Sequence, residues 1–343
     1  MDLTIPDSIT ILFDVMHTGT HYKLREFLLW TRRDIYLLFV LASIPTVLYQ
    51  SFGIKWLAIP WEPVALIGTA AAFFVGFKNT QSYSRQWEAR QIWGAIVNSS
   101  RTWGMTTKEL VKGDKTNQQE LIYRHFAWLT ALRFQLRMPE YWETTNKPHN
   151  KEYQKFYSVP EWQDDLESEL KKYISKNELQ HIMTKKNKAT QIICLQSKHL
   201  TALNISSFIA PNDYMEMMRQ LSNLYDQQGK CECIKSFPYP RQFASLNLFF
   251  IWAFVLMLPY GLLNEFQNLG PNWVWLTIPF SVIGSWIFTS MEKVGEATEN
   301  PFEGSANDIP MAALSRTIEI DLREMLDETE LPEPLSPINH ILM

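Results

Sequence analysis

The sequence predicts an all-α membrane protein with four membrane-spanning helices, arranged as two hairpins, and a long cytoplasmic helical region between the hairpins. Three observations carry this. Four apolar runs each approach the roughly 20 mostly apolar residues that a crossing helix needs. The stretch between the second and third runs spaces its apolar residues as a helix does, with no strand signal. Lysine and arginine crowd the ends of that stretch and avoid the loops on the other side.

Residues 1–34 read as an N-terminal cytoplasmic segment. It opens MDLTIPDSIT, with an acid where a signal peptide carries basic residues, so no cleaved leader is expected. His17 and His21 lie four apart, but Gly19 weakens a helix between them and a metal would need further ligands. A solvated pair is expected there. The spans are 35–54 (IYLLFVLASIPTVLYQSFGI), 57–77 (LAIPWEPVALIGTAAAFFVGF, with Glu62 near its start), 243–263 (FASLNLFFIWAFVLMLPYGLL) and 271–291 (PNWVWLTIPFSVIGSWIFTSM). Short loops make the hairpins 35–77 and 241–291. Trp56, Trp61, Trp273 and Trp275 fall at span ends, where an aromatic belt belongs. Lys23, Arg25, Arg32 and Arg33 precede the first span, and Lys78, Arg85 and Arg90 follow the second. The two loops inside the hairpins hold only Lys55. The positive-inside rule therefore places both termini and 78–240 in the cytoplasm.

From 78 the helical pattern continues through Trp87, Ile92, Trp93, Ile96 and Val97. The second span is expected to run on out of the membrane, with a kink near Asn79, until KGDKTN ends it. A helix over 118–138, a polar surface loop over 139–160 and helices over 161–174, 176–209 (with a break) and 212–227 should follow. Residues 292–343 form a cytoplasmic segment with LPEPLSP as an extended tail.

The chemistry that is missing narrows the function. A net charge of −4 argues against binding nucleic acid by phosphate neutralisation. Cys194, Cys231 and Cys233 form no disulfide framework, and a reducing compartment suits them. Phosphate-binding glycine loops and zinc spacings are absent, and no catalytic residues stand out. Arg85, Glu88 and Arg90 read as surface ion pairs and headgroup contacts. No charge lies deep in a span, which argues against an ion-coupled carrier. Pro45, Pro259 and Pro279 could break spans as a transporter's half-helices do, with Pro259-Tyr-Gly261 the best such candidate.

One run asks for more explanation. In VALIGTAAAFFVGFK, Gly68, Ala72 and Gly76 repeat every four residues, as do Thr69, Phe73 and Phe77. Residues four apart share a helix face, so a small-residue strip lies about 100° from an aromatic one. Small residues let helices approach closely in lipid. The aromatic strip then faces either lipid or an axis shared between copies.

VGFKNTQSYSRQWEARQIWGAIVNSSR resembles the bestrophin signature in its bacterial form, and MEKVGEATENPFEGSANDIPMAALSRTIEIDLREML resembles the family segment after the last span. The similarity runs from about 20 to 330. It implies a homopentamer around a central pore in the bacterial inner membrane. It implies passive flux of monovalent ions, chloride as in eukaryotic relatives or cations as in some bacterial ones. Carried over, the hydrophobic neck falls on Thr69, Phe73 and Phe77, with Gly68, Ala72 and Gly76 packing beside it. The cytoplasmic aperture falls near Pro211 and Asn212, in APNDY. Three departures matter: Gln86 replaces a usual tryptophan, Thr69 a common aliphatic residue, and Ser305 an aspartate of the eukaryotic calcium clasp. Asn300, Ser305 and Asp308 mark the degenerate clasp region, with Asp308 the surviving acid, so calcium binding should be weak or absent and no cofactor is required. A membrane transporter and a membrane-anchored scaffold are the alternative readings.

Overall fold

The computed structural model describes residues 24–343, apart from Asp114 and the side chains of Glu26 and His149. His17 and His21 lie outside the described residues. The helices are α1 (Leu24–Ser51), α2 (Trp61–Leu110), α3 (Lys115–Leu136), α4 (Pro148–Tyr153), α5 (Pro160–Gln163), α6 (Leu166–Leu170), α7 (Lys176–Met183), α8 (Lys188–Ile205), α9 (Pro211–Ser236), α10 (Arg241–Leu269), α11 (Thr277–Ala297) and α12 (Met311–Met325). Short 3₁₀ turns cover Lys55–Leu57, Gln154–Phe156 and Pro271–Leu276. The described residues contain no strand, only an isolated bridge between Ile338 and Ile341. They divide into two compact units, a membrane unit (the described part of His21–Arg85 with Pro238–Asn300) and a second unit (Gln86–Phe237 with Pro301–Met343).

In the membrane unit four helices are long and apolar enough to span a bilayer. Their outward side chains are apolar, including Phe39, Val40, Leu66, Phe249, Ile283 and Ile287. That suits a hydrocarbon solvent. Inside, Leu38, Val75, Ile251 and Val255 form one cluster and Val64, Ala71, Phe254 and Leu258 another. Polar groups among the helices bond locally, as where Thr46 Oγ1 donates to Ala42 O at 2.8 Å. Trp286 Nε1 donates to Thr31 Oγ1 at 2.9 Å.

Several boundaries differ from those expected. The second span begins at Trp61 rather than 57, because Pro60 disfavours helical geometry at Ile59. It then runs unbroken through Asn79 for 50 residues, roughly 75 Å. Pro45 and Pro259 lie inside intact helices, and Pro279 sits in the first turn of α11, where no intrahelical donor is lost. The half-helix break proposed at Pro259-Tyr-Gly261 is therefore absent.

In the second unit, α3, α8, α9 and α12 pack around a core containing Trp93, Trp103 and Trp128. The expected 161–174 helix is two short ones, because Asp164 is extended and Asp165 caps α6 through Ser168 N. The expected break in 176–209 lies between Met183 and Lys188, with Asn187 capping α8 through Thr190 N. Helix α9 runs on to Ser236, past the expected end at 227, because Leu224, Cys231 and Ile234 keep its inner face buried. The 139–160 stretch is not wholly a surface loop, since it contains α4 and buries Thr144 and Val159. The LPEPLSP tail is irregular, as expected, and after it Ile341, Leu342 and Met343 are buried.

The small-residue strip of α2 is not one surface. A Cβ on Gly68 would come within 2.6 Å of Phe254 Cε2, whereas one on Gly76 would meet nothing within 4 Å. Gly68→Ala should therefore cost about 1–3 kcal/mol through overpacking. Gly76→Ala should cost less, because within its own chain the added methyl meets nothing and alanine is the better helix former by about 1 kcal/mol. Thermal unfolding of the two variants in detergent checks this pair.

Candidate functional site

Helix α2 holds out the aromatic row. Phe73 is 70% exposed, Phe77 is 42% exposed, and Thr69 is also exposed. Val64, Ala71 and Val75 occupy the opposite, buried face, so the row points away from the core of its own unit. Thr69 Oγ1 donates to Ala65 O at 2.8 Å, which spends its proton on the helix itself. Phe73 stands edge-on to Phe74, whose ring stacks on Phe250 at 5.0 Å. Phe77 leans toward Phe243 at 6.1 Å. The row carries no charge, and as an apolar constriction it would gate by dewetting.

At the next residue the chemistry changes. Lys78, a residue that sets the expected orientation, is buried with Nζ 2.6 Å from Glu292 Oε1. Asn247 Nδ2 donates to the other oxygen, Oε2. The Asn79 amide crowds Gly295 so closely that any Cβ there would clash with Oδ1. Lys78 thus ties α2 to α11 through Glu292, and Asn247 ties α10 to the same carboxylate.

The aperture and clasp candidates lie apart from the row in sequence. Pro211 is the first residue of α9, where its missing N–H costs nothing, and it and Asn212 are exposed. The exposed apolar side chains just before them are Ile205 and Phe208, which the sequence reading passed over. The large apolar residues Ile205, Phe208 and Ile209 in the link NISSFIAPND were the available signal, of which Ile209 is buried. Lys112 N donates to Phe208 O at 2.8 Å and fixes this turn.

In the second unit, Asp308 is fully buried and occupied. Arg137 Nη1 donates to its Oδ2 at 2.9 Å, Gly304 N to the same oxygen at 2.5 Å, and Ser305 Oγ to Oδ1 at 2.6 Å. Gly304 needs its φ of +94°, and any Cβ there would strike Trp162. Gln86, the departure from the signature, donates through Nε2 to Asn307 O and ties the same loop to α2. Ser305 and Asp308 do not fit a calcium ion. Their oxygens already have partners, and a guanidinium sits where the cation's charge would have to be. The described residues contain no group of three His, Cys, Asp or Glu that could hold a metal.

Glu303 was missed by the sequence reading. Thr144 donates to it through both N (2.9 Å) and Oγ1 (2.8 Å). Burial first, and the nearby Asp308 charge second, push it up from 4.5 to about 8. Burial raises Asp308 too, but Arg137 and the loop donors oppose this, so Glu303 is the better seat for the proton. The folded state then holds a proton that the unfolded chain has released. Stability should be greatest below pH 4.5 as far as this group is concerned and fall as pH rises to about 8, by up to about 1.4 kcal/mol per unit. Glu303→Gln, which mimics the protonated form, should flatten that slope in unfolding measured from pH 5 to 8.5 (about the span of the shift).

The family model described as Bacterial/Fungal Bestrophin protein matches residues 33–324. The chain belongs to the bestrophin family. A voltage-dependent anion channel-forming protein of Escherichia coli K12, YneE, is 26% identical over 292 residues, covering 85% of this chain and 84% of its own. A Ralstonia nicotianae protein with the same description, RSc3414, is 26% identical over 286 residues, covering 81% and 82%. The crystal structure of a bacterial bestrophin homologue from Klebsiella pneumoniae matches with a TM-score of 0.74 at 23% identity, over 87% of this chain and 99% of that one. These likenesses agree with the bestrophin fold and with an integral membrane protein that is a channel rather than an enzyme.

Proposed function

We propose that this bestrophin is one subunit of a homopentameric channel for passive flux of monovalent ions. In this reading Thr69, Phe73 and Phe77 of five copies ring the membrane neck, and the 205–212 turn lines the cytoplasmic aperture. The observation that carries it is an uncharged row left exposed on a spanning helix whose opposite face is buried. Gly76 and Ala72, open beside the row, are where a neighbouring copy would pack. The protein sits in the bacterial inner membrane with both termini in the cytoplasm, following its lysine and arginine distribution.

Anions are the favoured ion, because the YneE and RSc3414 relatives are described as anion channel-forming. Ring edges in the neck offer an anion positive potential, while ring faces favour cations. That second possibility supports a cation reading. Calcium is not needed, since Asp308 is committed to Arg137. Reconstitution in planar bilayers under a KCl gradient tests the proposal. A current reversing near the chloride equilibrium potential, insensitive to chelator, is expected. No conductance from protein of confirmed fold, or a monomer mass in detergent, would exclude a shared axial pore.

A further inference from the structure

Among the described residues, a cavity of about 200 Å³ opens in the second unit between α3, residues 160–173 and α12. Its apolar lining comes from Phe126 and Leu129 of α3, Ala312 of α12 and Leu335 of the tail. Its polar lining carries both signs of charge, with Arg133, Lys172 and Arg316 against Asp164, Glu169 and Glu319. Most of these groups are spoken for. Arg133 Nη1 pairs with Glu161 at 2.6 Å and Lys172 with Glu169 at 2.6 Å. Arg316 lies 3.4 Å from Glu319, which also pairs with Arg323 at 2.9 Å and accepts from Tyr173 OH at 3.1 Å.

Three groups are left over. Ser315 Oγ is buried, in a residue only 8% exposed, with no partner. Arg133 Nε–H is also buried without one, although its Nη1 is taken. The exposed Asp164 carboxylate has no ion pair or hydrogen bond among the described residues. An unmet buried donor is destabilising, and both orphaned donors ask for an oxygen acceptor. Asp164 asks for a cation.

We propose that this cavity binds a small zwitterion, a free amino acid, with its carboxylate on Arg133 Nε and Ser315 Oγ, its ammonium at Asp164 and its side chain on the apolar lining. The volume lies below the roughly 300–1,000 Å³ of drug-sized pockets, which suits a ligand of this size. The proposal does not depend on which ion the channel passes.

Isothermal titration of the full chain in detergent tests it, with L-norvaline, L-glutamine and L-serine as probes. Pentanoate and butylamine, which carry one charge each, are the controls. Saturable binding of at least one amino acid is expected, with pentanoate and butylamine each about tenfold weaker or more. Ser315→Ala and Arg133→Lys should each weaken binding about three- to tenfold, the latter keeping the positive charge near Glu161 while losing Nε–H. Ser315→Leu should fill the cavity and abolish binding. If it fails to fold, Arg133→Lys still decides. No saturable heat tighter than about 1 mM from any of the three amino acids would overturn the proposal and leave the cavity to water. Equal binding of pentanoate, or affinity unchanged in Ser315→Ala and Arg133→Lys, would overturn it as well.

Discussion

Replacing Phe73 and Phe77 together by alanine should raise single-channel current on the order of tenfold, the factor that 1.4 kcal/mol of barrier represents. Both rings stand exposed on α2, and the strip holds no charge that could bind a permeating ion. The barrier of such a neck is the work of keeping an ion where water is scarce, so removing the rings wets the neck and lowers that work. The fold should tolerate the change, because neither ring is part of the buried clusters of the membrane unit. Planar bilayer recordings give the current, and thermal unfolding checks that the protein is intact. If the rings faced lipid instead, current would be unchanged and the neck would have to be sought elsewhere. Thr69→Ala should have a smaller effect, since its hydroxyl is already turned back onto Ala65 O.

Asp308→Ala should destabilise the protein by about 3–5 kcal/mol, the usual cost of removing one partner from a buried ion pair. Both side chains of the Arg137–Asp308 pair are 1% exposed. Losing Asp308 strands Arg137, since the remaining acid, Glu161 at 3.7 Å, is already engaged by Arg133 at 2.6 Å. It also frees Gly304 N and Ser305 Oγ, which hold the loop. The double variant Asp308→Ala with Arg137→Met should lose less than Asp308→Ala alone, because no charge is left unpaired. Denaturant or thermal unfolding of the two variants measures this. A variant with undiminished stability but altered calcium response would mean that Asp308 serves as a metal ligand after all.

These two sites were not equally legible. The aromatic row could be read directly, because a helix's repeat puts Thr69, Phe73 and Phe77 on one face whatever the rest of the chain does. What that face meets could not be read. Gly68 and Gly76 look identical in the strip, yet only the first is pressed against Phe254. Asp308 was visible only as a remnant of a clasp, and Glu303 not at all. Asp308's partner, Arg137, lies 171 residues away just past the end of α3, and Thr144 lies 159 residues from Glu303. Lys78 shows the same limit. Its position at the end of a span reads as a marker of orientation, while its actual partner, Glu292, is 214 residues distant.

The sequence alone determined the number of spans, the all-helical character and the family. Each of these rests on local hydropathy, local periodicity or contiguous motifs, which no distant contact can alter. Tertiary structure decided which small residues are packed, which charges are buried and paired, and that Asp308 closes a loop instead of offering itself to a metal. Those outcomes depend on which side chains meet across long stretches of chain, and a buried charge takes its role from the partner it meets.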